Sequence, residues 1–151
     1  FTHHAKTTKD LIYSLRNSLL KCEMFNNEKI AEQQVVSVLD FDIHLMRDYK
    51  GKRFIERITE IVDTPEIPYP QKYREENEAD AKKEAFMETT EEFYRRMTDR
   101  RTFETRNIIE FRNGKYIAVQ SISKEKIQEM KNRMTEEDIK EFDEYLDKYF
   151  G

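Results

Sequence analysis

Glycine is scarce in this 151-residue sequence: Gly51, Gly114 and Gly151 are the three present, where average usage gives roughly ten. A phosphate loop of the form G-x-x-x-x-G-K-[ST] needs two glycines close together, and a dinucleotide fingerprint needs three. The spacing here excludes both, so the phosphate cradle of any nucleotide handled by this protein lies outside this sequence. A single cysteine, Cys22, excludes an internal disulfide and fits a reducing, cytosolic setting. No apolar run approaches the length of about eighteen residues that reads as a membrane span, and no signal peptide is visible. The start at Phe1 rather than methionine suggests a fragment.

Charge, by contrast, is plentiful, with 31 acidic and 27 basic residues and a net charge of −4. That balance gives no reason to expect nucleic acid or an anionic membrane as a bulk partner. The length suits one domain or two small ones, burying about two thirds of the unfolded surface.

The pattern along the chain predicts mixed helix and strand. Thr7 and Asp10 resemble a capping box, and Leu11, Leu15, Leu19 and Cys22 follow at helical spacing. A second helix is predicted from Glu28 to Val36, with Ile30, Ala31, Val35 and Val38 inward. The period then changes to two. Leu39, Phe41, Ile43 and Leu45 alternate with Asp40, Asp42, His44 and Met46, predicting a strand with one buried face. A turn at Asp48-Tyr49-Lys50-Gly51 leads to an antiparallel return strand from Arg53 to Val62, closed by Thr64-Pro65 and Pro68-Tyr69-Pro70. A charged helix is expected from Ala79 to Met97, with Phe86, Phe93 and Met97 on one side. Asn113-Gly114 between two β-rich runs is the preferred type I′ hairpin turn. Ser123 caps a further helix, with Ile122 and Ile127 as a hydrophobic staple. Thr135 to Asp138 forms the capping box of a last helix, whose Phe142, Leu146 and Tyr149 read as core, as do Phe86 and Phe93.

Two motifs carry a family resemblance. Thr2-His3-His4-Ala5, just before a Leu-rich helix, resembles the T-x-H-A histidine box of the type II/type IV secretion ATPases, which serve conjugation and tight-adherence pilus assembly. Downstream, Asp40 to Asp48, then Gly51-Lys52-Arg53, then Ile58-Thr59-Glu60-Ile61 is similar to that family's C-terminal hairpin, with a somewhat longer turn. The match covers residues 1–67.

The resemblance implies the C-terminal edge of a RecA-like P-loop NTPase core over 1–67, followed by a small α+β module over 71–151. The parent would be a homo-oligomer, a ring hexamer, that uses ATP and magnesium to drive secretion or pilus machinery. It would be bacterial and cytoplasmic, held at the inner membrane through partners and not inserted in it. The family's phosphate loop, acidic box and metal-binding carboxylate all precede the histidine box, so this chain alone should bind neither cofactor and should be inactive. Thr2 and His4 would be the nucleotide-sensing residues, and Arg53 and Glu60 would be subunit-interface candidates. The competing reading is a stand-alone adaptor domain for protein–protein interaction, with no catalytic activity.

Other constellations are less specific. His3-His4 also reads as an ordered or frayed terminus. His3, His4, His44 and Cys22 lack metal-ligand spacing, so no metal site is expected. Arg95, Arg96, Arg100 and Arg101, interleaved with aromatics, could stack on single-stranded nucleic acid. The carboxylates in the same stretch favour a helix face laced with ion pairs instead.

Overall fold

The computed structural model describes residues 1–64, 78–98 and 101–151. The chain divides into two compact units, Phe1–Asp63 with Phe103–Gly151, and Thr64–Thr102.

The first unit starts with two helices, α1 (Thr8–Leu19) and α2 (Glu28–Val36). Both begin at a capping side chain, Thr7 as expected for α1 and Asn27 for α2. Thr7 Oγ1 accepts from the Asp10 N–H at 3.0 Å, and Asn27 Oδ1 accepts from the N–H groups of Lys29 and Ile30. These bonds satisfy donors that the first turn of a helix leaves free. Arg16 ties the pair together. Its guanidinium bonds Glu28 and the buried Glu32 at 2.8 and 3.2 Å and lies over the Tyr13 ring.

Strands β1 (Phe41–Arg47), β2 (Arg53–Asp63), β3 (Phe103–Arg112) and β4 (Lys115–Ala118) form one antiparallel sheet in chain order. The architecture is α+β. Both tight turns follow the glycines: Gly51 has φ +82°, and Asn113 and Gly114 have φ of 51° and 80°, the signs a type I′ turn requires. The register shifts at His44/Leu45 and at Ile58/Thr59, leaving Glu56 and Ile108 as extra residues.

The sheet runs across the 67–71 boundary expected from the sequence. β2 and β3, placed by that expectation in different halves, are direct neighbours from Asp63↔Phe103 to Arg57↔Glu110. β3 supplies partners for the edge that the β1–β2 hairpin alone would leave open.

Ile12, Val35, Val36, Ile61 and Phe103 make the core, with Tyr13, Leu15, Leu19 and Leu39 packed against it. Tyr13 meets Phe103 edge to face at 6.1 Å. Helices α1 and α2 therefore cover the sheet face that carries Ile61. The expected inward set needs correction at several places. Ile12 replaces Cys22 in the α1 stripe, since Cys22 is exposed. Ile30 and Val38 are exposed, while Ala31 and Val35 are buried as expected. Ile43 and Leu45 are 55% and 58% exposed. They alternate with Asp42, whose side of β1 receives α1, so no helix of that pair reaches them.

Beyond the sheet come α4 (Lys124–Lys131) and α5 (Glu136–Phe150). Ser123 Oγ accepts from the Lys126 N–H, and Thr135 with Asp138 forms a reciprocal capping box. No residue of α5 is buried, and Tyr149 is exposed.

The second unit holds α3 (Glu78–Thr98), and its ends meet through the Thr64 N–H donating to the Thr102 carbonyl at 2.9 Å. Phe86, Phe93 and Met97 are exposed on α3 rather than forming a core. The expected Pro65, Pro68 and Pro70 stops and the start of the 71–151 module lie outside the described residues.

Candidate functional site

Three groups of residues hold the features that the sequence singles out. The first is the N-terminal segment before α1. Thr2, His3 and His4 are exposed, and the His4 ring makes no hydrogen bond or ion pair among the described residues. His3 Nε2 lies 3.3 Å from Ser14 Oγ, in the second turn of α1. The segment is anchored just behind the histidines. Arg57 Nη2 donates to the Lys6 carbonyl at 3.0 Å, and Thr8 Oγ1 donates to Asp42 Oδ2 at 2.7 Å. Thr8 is buried and Asp42 carries a charge, so this bond belongs to the stronger, charge-assisted class. These bonds tie the chain just after His4 to β1 and β2. Asp42 and Arg57 had no role in the sequence reading. Period-two alternation placed Asp42 opposite the apolar face of β1, and nothing local could say that α1 would meet it.

The second group surrounds Glu60. This carboxylate is 0% exposed. It accepts the Ser123 N–H at 3.0 Å through Oε2 and at 3.2 Å through Oε1, and the Ser123 hydroxyl at 2.5 Å through Oε1. Arg106 Nη1 stands 3.6 Å from Oε2, and Arg106 Nη2 donates to the Ser121 carbonyl at 3.2 Å. A buried charge is tolerated only when paired and hydrogen-bonded, and Glu60 meets that condition. The arrangement clamps the 121–123 segment, and with it the start of α4, onto the centre of the sheet. A carboxylate just ahead of a helix N-terminus also faces the favourable end of the helix dipole.

Arg53 sits elsewhere. It is the exposed first residue of β2, opposite Arg47 in β1. Seven strand positions separate it from Glu60, or about 23 Å at the usual rise. The structure therefore does not bring the two interface candidates together: one points outward at the hairpin end and the other is enclosed.

The third group is a groove of about 300 Å³ lined by Asp40, Phe41, Lys126, Glu129, Met130, Arg133 and Met134. Its charges are already engaged. Lys126 Nζ lies 2.6 Å from both Asp40 and Glu129, and Arg133 lies 2.8 Å from Glu129. Desolvation pulls the Lys126 pKa down, but the bonds to Asp40 and Glu129 outweigh it and hold the ammonium above its ordinary value.

No family model, curated protein or solved structure matches the chain.

For the arginines of α3, the structure gives Arg95 a two-pronged pair with Glu92, both contacts at 2.8 Å. Arg101 is half-buried and has an interaction partner. Arg100 and the side chain of Arg96 lie outside the described residues. Among the described residues no group of three His, Cys, Asp or Glu side chains could hold a metal ion, and no helix is long and apolar enough to cross a membrane. Among the described residues, His4 is not part of a group of three His, Cys, Asp or Glu side chains that could hold magnesium.

Proposed function

We propose that this chain is the C-terminal part of a secretion or conjugation ATPase of RecA-like fold. In that reading Thr2 and His4 form the nucleotide-sensing segment, and the remainder supplies contacts to other subunits of a homo-oligomeric ring and to secretion or pilus components. ATP and magnesium, held by residues outside this chain, supply the phosphoanhydride chemistry. The chain's own contribution is a ring N–H of His4 offered to an anionic oxygen, with the hydrogen bonds at Lys6 and Thr8 just behind it.

The observation that supports this most is the anchoring behind His4. An exposed histidine is joined through Lys6 to Arg57 and through Thr8 to Asp42. A local contact of this kind biases a larger element only when it is coupled to one. Here the coupled elements are α1 and the β1–β2 hairpin.

Two measurements test the reading. The coding sequence upstream of Phe1 should hold a G-x-x-x-x-G-K-[ST] motif; a start codon directly before Phe1 overturns the proposal. In the full-length protein, His4→Ala should lower ATP turnover by about tenfold to a hundredfold, the worth of one hydrogen bond to a charged group. Unchanged turnover removes His4 from the mechanism. The 151-residue chain alone should show no turnover above a blank.

The adaptor reading has one observation in its favour. Helix α5 is amphipathic, with Ile139, Phe142 and Leu146 along one side, yet none of its residues is buried. A partner could cover that side without any nucleotide chemistry.

A further inference from the structure

Charge is unevenly distributed over the first unit. In an antiparallel meander the β1–β2 and β3–β4 turns fall at the same end of the sheet, and the rings of Phe54 and Phe111, 5.0 Å apart, join the two hairpins there. That end is cationic. Arg47, Lys50, Lys52 and Arg53 surround the first turn, and Arg112 and Lys115 flank the second. All six are exposed. The first turn's one carboxylate, Asp48, is committed inward, with Oδ1 accepting from the N–H groups of Lys50 and Lys52. Glu110 is held by Arg112 and Asn107. Arg47, Lys52, Arg53 and Lys115 form no side-chain ion pair among the described residues. Like charges directly opposite one another, such as Arg47 and Arg53, destabilise a strand pair. An anionic partner would relieve that repulsion. The same end exposes apolar surface: Leu45, Met46 and Tyr49, the last 92% exposed.

The opposite charge is concentrated on α5. Glu136, Glu137, Asp138, Glu141, Asp143, Glu144 and Asp147 stand against Lys140 and Lys148. Asp143 is paired with Lys131, and Asp138 serves the cap. The other five carboxylates carry no ion pair among the described residues. Exposed Tyr145 and Tyr149 lie among them with their rings stacked.

We infer that the cationic hairpin end of one copy of this chain docks on the acidic helix α5 of a second copy. The two surfaces are complementary in charge, both expose aromatic or aliphatic side chains beside the charges, and among the described residues most charges of each have no ion-pair partner. The net charge of −4 gives no overall attraction to a nucleic acid or an anionic membrane as the occupant. A contact between two different patches is head-to-tail, which closes into a ring when the rotation permits and otherwise propagates. This names a surface for the subunit contacts in the reading above, and rests on that reading only for the expectation of a ring.

The test is a charge swap in the full chain, read by sedimentation velocity with circular dichroism as a check on folding. The tip variant is Lys50→Glu, Lys52→Glu, Arg53→Glu, and the helix variant is Glu137→Lys, Glu141→Lys, Glu144→Lys; every position is exposed. The unmodified chain should self-associate at low salt and weaken about tenfold or more when salt compresses the screening length to a few ångströms. Each variant alone should remain monomeric. Mixing the two, or combining all six substitutions in one chain, should restore association. A chain that is monomeric at every salt concentration overturns the proposal, as does association that ignores both variants or a combined variant that stays monomeric. Binding of a single-stranded oligonucleotide or phosphatidylserine vesicles by the tip, without self-association, also overturns it. These failures leave the upstream phosphate loop and the His4 turnover assay untouched, so the surface and the ATPase reading can fall separately.

Discussion

Glu60→Ala tests the account of the sheet centre most directly. Truncation removes the acceptor of the Ser123 N–H and hydroxyl, bonds of 3.0 and 2.5 Å, inside a region where Glu60 is 0% and Ser123 8% exposed. A hydrogen bond to a charged group is worth about 1.5–3 kcal/mol, and the two share one residue, so they do not simply add. Arg106 contributes less. It is 3.6 Å away and 31% exposed, and water can solvate its guanidinium once the carboxylate has gone, which puts it near the surface range of about 0–1 kcal/mol. The sum points to a loss of about 3 kcal/mol, the lower end for breaking a buried pair. Urea unfolding followed by far-ultraviolet circular dichroism should show the midpoint falling by about 1.5 M at a slope of about 2 kcal/mol per molar. Glu60→Gln keeps an acceptor oxygen for Ser123 and should lose about 1–2 kcal/mol. Ser123→Ala removes the cap as well as one bond, costing about 1–2 kcal/mol. Because Ser123 and Glu60 act through the same contact, the double variant should fall short of additivity by about 1 kcal/mol or more. A Glu60→Ala loss below about 0.5 kcal/mol, or full additivity with Ser123→Ala, refutes the clamp.

Two further outcomes follow from local geometry. Gly114 has φ +80° with nothing near the position of an added Cβ, so Gly114→Ala should cost about 1 kcal/mol of backbone strain alone and lower Tm by about 2–4 °C; an unchanged Tm contradicts the turn assignment. Asp138 has its pKa lowered from the ordinary 3.8 by hydrogen bonds from the Thr135 side chain and backbone. A carboxylate depressed in the folded state stabilises above its ordinary pKa and loses that contribution as pH falls through the lowered value. Carboxyl NMR titration should therefore place the Asp138 midpoint below that of an unfolded peptide, and Thr135→Ala should move it back up.

The helix starts and hairpin turns were legible because their physics is local. Thr7, Ser123 and Thr135 each reach a backbone N–H three residues ahead. Asn113-Gly114 takes positive φ whatever surrounds it. The candidate site was less legible. Thr2, His4, Arg53 and Glu60 could be singled out by motif, but a motif does not say what each side chain touches. Glu60 meets Ser123 across 63 positions of chain, and Arg57 meets Lys6 across 51.

The sequence by itself determined the order of the elements, their caps and turns, and the absence of a phosphate loop among three widely spaced glycines. Tertiary structure alone decided which apolar faces are covered. Periodicity tells which residues share a face, and it treats Ile30, Ile43 and Leu45 like Ala31, Val35 and Ile61. The difference between them is made by neighbours distant in the chain. Helices α1 and α2 lie on the side of the sheet that carries Asp42 and Ile61, and β3 pairs with β2 from beyond the second unit. Burial is a property of what arrives from elsewhere, so it appears only when the chain has folded.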